Sequence, residues 1–313
     1  MTEEMERDEN VFLLGEEVGQ YNGAYKVSEG MLEKFGPRRV IDTPISESGF
    51  SGLGIGAAMC GLRPIIEFMS WSFSFVAFDQ LVNNAANVRY MSGGQFKVPI
   101  VFRGGNGIAH QLGATHSHRV EALYARVPGL IVIAPSNPRA AKGLLQSAIR
   151  CDDPVIFLES ELMLNDRGEV PNNEHTIPIG VADVKVPGDD VTLVSYGKIT
   201  KMVLKAAHVL RDEHDIEAEV IDLRTLRPLD KEAIIESVKK TNRLVLVDED
   251  WPYCGMGAGI LAQIQEPLFD HLDAPIKRVC SEDVPAPFDH YLELEMQPSV
   301  EKVVAAVKEV TYR

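Results

Sequence analysis

Short apolar runs rich in Val, Ile and Leu return along the whole chain, each parted from the next by a longer segment of helical period. This alternation restricts the fold more than any other feature. Runs at 11–15, 39–42, 64–68, 99–103, 130–134 and 155–158 read as buried strands, and segments at 26–35, 49–61, 73–91, 117–126 and 138–149 read as the helices between them. Buried strands joined by helical crossovers belong in a parallel sheet covered on both faces. The rhythm stops over 160–190, where Asn165-Asp-Arg-Gly168, Pro171-Asn-Asn173 and Pro187-Gly-Asp-Asp190 supply turn chemistry. It resumes with strands at 191–196, 218–223, 244–248 and 276–280, interleaved with helices near 198–212, 230–241, 257–268 and 299–310. The expectation is an α/β protein of two doubly wound domains, 1–175 and 188–313, with a linker at 176–187. A chain of 313 residues is long enough for two such cores.

Charge narrows the function classes. Lys and Arg number 31 against 46 Asp and Glu, a net charge of −15. A general nucleic-acid or anionic-membrane surface is therefore not expected. Cys60, Cys151, Cys254 and Cys280 form no C-x-x-C pair, which gives no support to a zinc site or redox dithiol and suits a reducing compartment. No apolar run reaches the ~18–20 residues of a membrane span. The acidic start, Met1 to Asn10, resembles neither a secretory signal nor an Arg-rich transit peptide. A cytoplasmic location is expected, with a processed organellar form left open.

Glycines at strand ends are the first candidates for a site, because α/β sheets bind ligands there. Gly52-x-Gly54-x-Gly56 lies past its strand, and Gly257-Ala-Gly259-Ile-Leu-Ala262 is separated from its strand by Trp251 to Met256. Both suit close helix packing better than a dinucleotide turn. Gly104-Gly-Asn-Gly107 directly follows a strand and suits a ligand-approaching loop. Beyond it, His110, His116 and His118 crowd one loop, without a carboxylate or cysteine spaced to complete a metal site. In Ser46-Glu47-Ser48-Gly49, Glu47 stands at a strand-to-helix junction. It is read there either as a helix-start carboxylate or as a working acid.

The runs Val11 to Val18, Asp42-Thr-Pro-Ile-Ser-Glu-Ser-Gly-Phe50 and Gly61-Leu-Arg-Pro-Ile-Ile-Glu-Phe-Met69 closely resemble β subunits of the pyruvate dehydrogenase E1 component. So do Tyr90-Met-Ser-Gly-Gly94, Pro128-Gly-Leu130, Ile221 to Pro228 and Asp283-Val-Pro285. The likeness spans essentially the whole chain. It departs at the start, where relatives usually carry a further stretch, so a truncated or alternative start is expected. The resemblance implies a thiamine-diphosphate pyrimidine-binding domain followed by a transketolase C-terminal-like domain. It also implies a cofactor shared with an α subunit in an α2β2 heterotetramer, with Mg2+ held by that subunit. No Gly-Asp-Gly motif for the metal occurs here; Gly188-Asp-Asp190 lacks the context.

By the same resemblance, Glu47 contacts N1′ of the aminopyrimidine and favours the imino tautomer that activates the thiazolium. Phe73 stacks on the pyrimidine, and Ile45 and Met69 are its apolar neighbours. His116 faces the reaction centre, as proton donor or as orienting group. Ile100, Ala148, Ile149, Cys151 and Asp153 match a loop that binds a structural potassium ion. The implied activity is oxidative decarboxylation of pyruvate with transfer of the acetyl group to lipoyl. The further partners are the lipoyl and subunit-binding domains of an E2 dihydrolipoyl acyltransferase. A branched-chain 2-oxo acid or acetoin dehydrogenase is the near alternative. A non-catalytic assembly subunit and a nucleotide-binding enzyme are the alternatives of other classes.

Overall fold

In the computed structural model, which describes residues 1–313, the apolar runs become the strands of two separate units. The first comprises 1–109, 115–133 and 138–179; the second comprises 110–114, 134–137 and 180–313. The stretch expected as a linker, 176–187, divides between them and carries a strand, β7 below.

The strands of the first unit are β1 (Val11–Gly15), β2 (Val40–Asp42), β3 (Arg63–Ser70), β4 (Val101–Gly105), β5 (Ile131–Ile133) and β6 (Val155–Glu159). They lie in the order β5-β6-β4-β3-β1-β2, every pair parallel. Register places Val40, Leu13, Ile65, Val101, Val155 and Ile131 in one row across the sheet. Most of that row is wholly buried, as strands covered on both faces require. Helix α1 (Thr2–Arg7) precedes β1, and α2 (Met31–Phe35), α3 (Glu47–Met59), α4 (Ala86–Met91), α5 (Glu121–Ala125) and α6 (Pro138–Arg150) occupy the crossovers. Gly54 lets α3 sit close to the sheet: a Cβ there would lie 2.6 Å from Ile66 Cδ1.

The segment 73–91 is not the single helix that its apolar residues suggest. Trp71–Ala77 is a 3₁₀ helix, Gln80–Ala85 is a π turn, and only α4 is regular. Side chains account for the breaks. Ser70 Oγ accepts from the Ser72 amide at 3.3 Å, and Ser74 Oγ donates to the Trp71 carbonyl at 2.7 Å, tightening the first turns. The widened turn is bridged by Asn87 Nδ2, which donates to the Val82 carbonyl five residues back at 2.9 Å.

Where β3, β4 and β6 approach their carboxyl ends, a charge cluster replaces apolar packing. Arg103 is buried and pairs with both Glu67 and Glu159, donating from Nε to Glu159 at 3.0 Å. Burial raises the Glu67 carboxyl against the pull of Arg103.

In the second unit, β7 (Asp183–Val186), β8 (Val191–Ser195), β9 (Ala218–Asp222), β10 (Thr225–Arg227), β11 (Leu244–Val247) and β12 (Lys277–Val279) alternate with α7 (Ile199–His214), α8 (Lys231–Thr241), α9 (Met256–Leu268), α10 (His290–Met296) and α11 (Val300–Thr311). The sheet runs β12-β11-β8-β9-β7, with β7 as an antiparallel edge. α7 and α11 cover Val191, Leu193 and Val220 on one face. On the other face, Thr192 Oγ1 bonds Ser237 and Thr241 of α8 at 2.6 and 2.7 Å.

Asp248 follows β11 and is buried. Its Oδ1 accepts from the Asp250 amide at 2.9 Å, while Asp250 accepts from the amides of Trp251 and Met256 and so fixes the turn into α9. Burial, helped by Asp250, pushes the Asp248 carboxyl up to about 8. The folded chain thus keeps a proton that an unfolded aspartate loses near pH 4, and stability falls as pH rises from there toward 8. The slope is at most roughly 1.4 kcal/mol per pH unit for one proton. Asp248→Asn should flatten the dependence of the melting midpoint on pH between 5 and 8, whatever its absolute midpoint; an unchanged slope contradicts the assignment. In the first unit, Arg103→Met should cost about 3–5 kcal/mol in urea denaturation, because it strands two buried carboxylates. Replacing Glu67 and Glu159 by Gln in the same chain should recover part of that loss.

Candidate active site

The carboxyl ends of β1, β2, β3 and β4 lead into the segments that hold the candidate residues. Glu47 opens α3, after β2 and a short turn. It is 8% exposed, whereas Ile45, two residues earlier, is 86% exposed. A buried acid thus stands beside an apolar side chain left open to solvent, which is unusual for a residue that only starts a helix.

Glu16, immediately after β1, is the second acid here and has no counterpart among the residues singled out from sequence. It is buried, its Oε1 has no hydrogen-bond partner, and burial together with the charges of Glu47 and Glu17 raises its carboxyl. The buried hydroxyls of Thr43, between β2 and Glu47, and Ser51, one turn along α3, are also unpartnered. Unpaired buried polar atoms are costly, and their concentration around one helix start marks a place built to receive hydrogen bonds. The available signal was the pair of acids directly following an apolar strand; their burial is not visible in sequence.

Met69 lies near the end of β3. The ladder with β4 pairs Phe68 with Gly104 and Ser70 with Gly105, so Met69 is an extra residue in a bulge. Bulges re-aim side chains, and Met69 is half-buried here. Phe73 follows on the 3₁₀ segment, also half-buried. The ring of His116 meets it edge-on, with centroids 5.3 Å apart and planes at 84°. Two candidates far apart in sequence are therefore brought together. The same pattern recurs two residues further along both segments, where Phe75 and His118 meet at 4.8 Å and 76°. His116 Nδ1 lies 2.9 Å from Thr115 Oγ1. His118 Nδ1 lies 3.2 Å from Ser72 Oγ, and burial lowers the His118 ring below the usual histidine value. His110 is exposed and has a positive φ of 50°.

The loop of Ile100, Ala148, Ile149, Cys151 and Asp153 is already supplied with positive charge. Arg63 Nη1 donates to the carbonyls of Ile149 and Cys151 at 2.9 and 3.0 Å, and Arg63 Nη2 donates to Asp152 at 2.7 Å. Asp153 pairs with Arg89. Arg63 thus reaches the carbonyls of two of the five residues, Ile149 and Cys151. The motif Gly257-x-Gly259 is likewise a packing feature at its first glycine, where a Cβ would lie 2.4 Å from Asp248 Oδ2.

Comparison with known proteins accords with this geometry. Residues 1–166 match the family model for the transketolase pyrimidine binding domain, and 180–303 match that for the transketolase C-terminal domain. The chain is 53% identical to the pyruvate dehydrogenase E1 component subunit beta of Rickettsia felis over 312 residues, covering 100% of this chain and 95% of the relative. It is 49% identical to the mitochondrial subunit beta of Dictyostelium discoideum, covering 100% of this chain and 89% of that one. Among solved structures it is similar in fold to a split-gene transketolase in an inactive beta4 tetramer, with a TM-score of 0.79 at 24% identity, covering 99% of this chain and 94% of the other. Identity of about 50% along the full chain, with the two transketolase models matched in order, places the chain among the pyruvate dehydrogenase E1 β subunits of the transketolase-like, thiamine-diphosphate-dependent enzymes.

Proposed function

We propose that this chain supplies the pyrimidine half of a thiamine diphosphate site, shared with an α subunit, in a pyruvate dehydrogenase that acetylates lipoyl groups. The observation that carries the reading is Glu47, buried beside the unpartnered Glu16, Thr43 and Ser51 and the open Ile45. These residues fit an aminopyrimidine: an acid for a ring nitrogen, spare polar atoms, and apolar walls from Ile45, Met69 and Phe73. The chemistry that the cofactor supplies when bound is attack on the 2-oxo carbon and an electron sink for loss of CO2.

Glu47 holds a proton at N1′ of the pyrimidine, and Glu16, whose carboxyl is raised by burial and by the charge of Glu47, stands beside it. Phe73 stacks on the pyrimidine, and Met69 and Ile45 exclude water from its edges. His116 delivers a proton to, or orients, the acyl group on its way to lipoyl sulfur. Mg2+ and the diphosphate belong to the α subunit, since no Gly-Asp-Gly motif occurs in this sequence. Potassium has no part in this reading while Arg63 holds the carbonyls of Ile149 and Cys151. In this reading the half-buried Met69 and Phe73 border the acyl group, and a small acyl group such as that of pyruvate suits them.

The remaining partners are the lipoyl and subunit-binding domains of a dihydrolipoyl acyltransferase. A cytoplasmic α2β2 particle is the assembly that follows. No helix is long and apolar enough to cross a membrane. Leu53, Phe75, Val76, Tyr90 and Met91 are exposed in the first unit, an apolar surface suited to the obligate partner.

With the α subunit present, Glu47→Gln should lower pyruvate oxidation by about 10²–10⁴-fold. An unchanged rate indicates a subunit that serves assembly alone. Calorimetry on the isolated chain should show no Mg2+-dependent binding of thiamine diphosphate, with tight binding appearing once the α subunit is added. Tight binding by the isolated chain rules out the shared site.

A further inference from the structure

Two short segments lie side by side near the site, and four contacts fix their register. Phe73 meets His116, and Phe75 meets His118, both edge-on. The His118 amide donates to Ser72 Oγ at 3.3 Å, and His118 Nδ1 lies 3.2 Å from the same oxygen. Ser72 alternates with Phe73 and Phe75 on the 3₁₀ segment, so one hydroxyl is gripped by both the main chain and the side chain of a single residue.

Ser72 Oγ accepts from the His118 amide with one lone pair, and its proton and second lone pair remain for the bond to Nδ1. Burial, followed by the charges of Arg119 and His116, lowers the His118 ring below the usual histidine value and so disfavours its cationic form. Ser117, between the two histidines, is buried with its hydroxyl unpartnered, so that side chain does not fasten the turn by a hydrogen bond. His116 itself is exposed, and its Nδ1 partner Thr115 is adjacent in the same turn. The Thr115 contact does not tie the turn to the rest of the unit, whereas the Gly107 amide, donating to the His118 carbonyl at 3.1 Å, does so through the main chain.

We propose that His118 is a positioning residue: through Ser72 and Phe75 it locks the His116 turn onto the segment that carries Phe73, and so sets where the His116 ring stands for acyl transfer. The proposal rests on the role given to His116 above. His118 itself touches no reacting atom.

The test uses the chain assembled with its α subunit and separates two steps. Decarboxylation is followed with an artificial electron acceptor, and acyl transfer with a free lipoyl domain. His118→Phe keeps a ring against Phe75 but removes the ring nitrogen, and Ser72→Ala removes the hydroxyl. Each should lower kcat/KM for the lipoyl domain about tenfold, the scale of one lost hydrogen bond, and leave decarboxylation within about twofold. His118→Asn presents an amide, which can donate or accept, near the Nδ1 position and should recover most of the transfer rate. Combining Ser72→Ala with His118→Phe should cost no more than either alone. His116→Asn is the control for the underlying role. If it impairs transfer while His118→Phe and Ser72→Ala do not, the lock is refuted and the role of His116 stands. If His116→Asn leaves both steps intact, that role fails, and the lock fails with it. Equal loss from His118→Asn and His118→Phe refutes the Ser72 bond as the cause.

Discussion

Arg103 holds three parallel strands together where they matter most. Its guanidinium lies between Glu67 of β3 and Glu159 of β6, from a position on β4 between them. The ends of these strands launch the 3₁₀ segment with Phe73, the loop that returns with His116 and the turn at Glu161. A single delocalised charge with a rigid, planar fork of donors meets two carboxylates at once in fixed directions, which a lysine's rotatable ammonium does not impose. Such a cluster does not favour folding over a well-packed apolar substitute. It fixes register, and register decides which side chains face the site.

The sheet of the first unit was legible in the sequence because burial on both faces writes itself as unbroken apolar runs. Val11–Gly15 and Val155–Glu159 are such runs. The opposite case is β7, where Asp183 and Lys185 on an exposed edge resemble a loop and are only half covered. The segment 73–91 reads in sequence as one helix because Phe73, Val76, Leu81, Ala85 and Val88 recur at helical spacing. Periodicity alone does not register hydrogen bonds from Ser74, Asn84 and Asn87 that reset the turns.

Glu47, Phe73 and His116 stand out in the sequence through motifs; that the rings of Phe73 and His116 meet edge-on is visible only in the structure. Glu16 does not stand out, because an acid after a strand is ordinarily solvated. What distinguishes it is a three-dimensional fact, an oxygen without a partner. The loop at Cys151 has a feature of the same kind: the donor that reaches its main-chain carbonyls, Arg63, lies 86 residues from Ile149 and 88 from Cys151.

Ile45 gives the exposed wall beside Glu47 a thermodynamic meaning. An apolar residue left 86% open is a surface that water must leave before the pocket is dry. If a second chain covers that wall, closing the pocket and joining the subunits draw on the same desolvation. The two equilibria are then linked. Whatever factor the second chain contributes to cofactor affinity, the cofactor returns to the affinity between chains. Scarcity of the vitamin would then loosen the particle itself, and the concentration of assembled enzyme would track the supply of the cofactor.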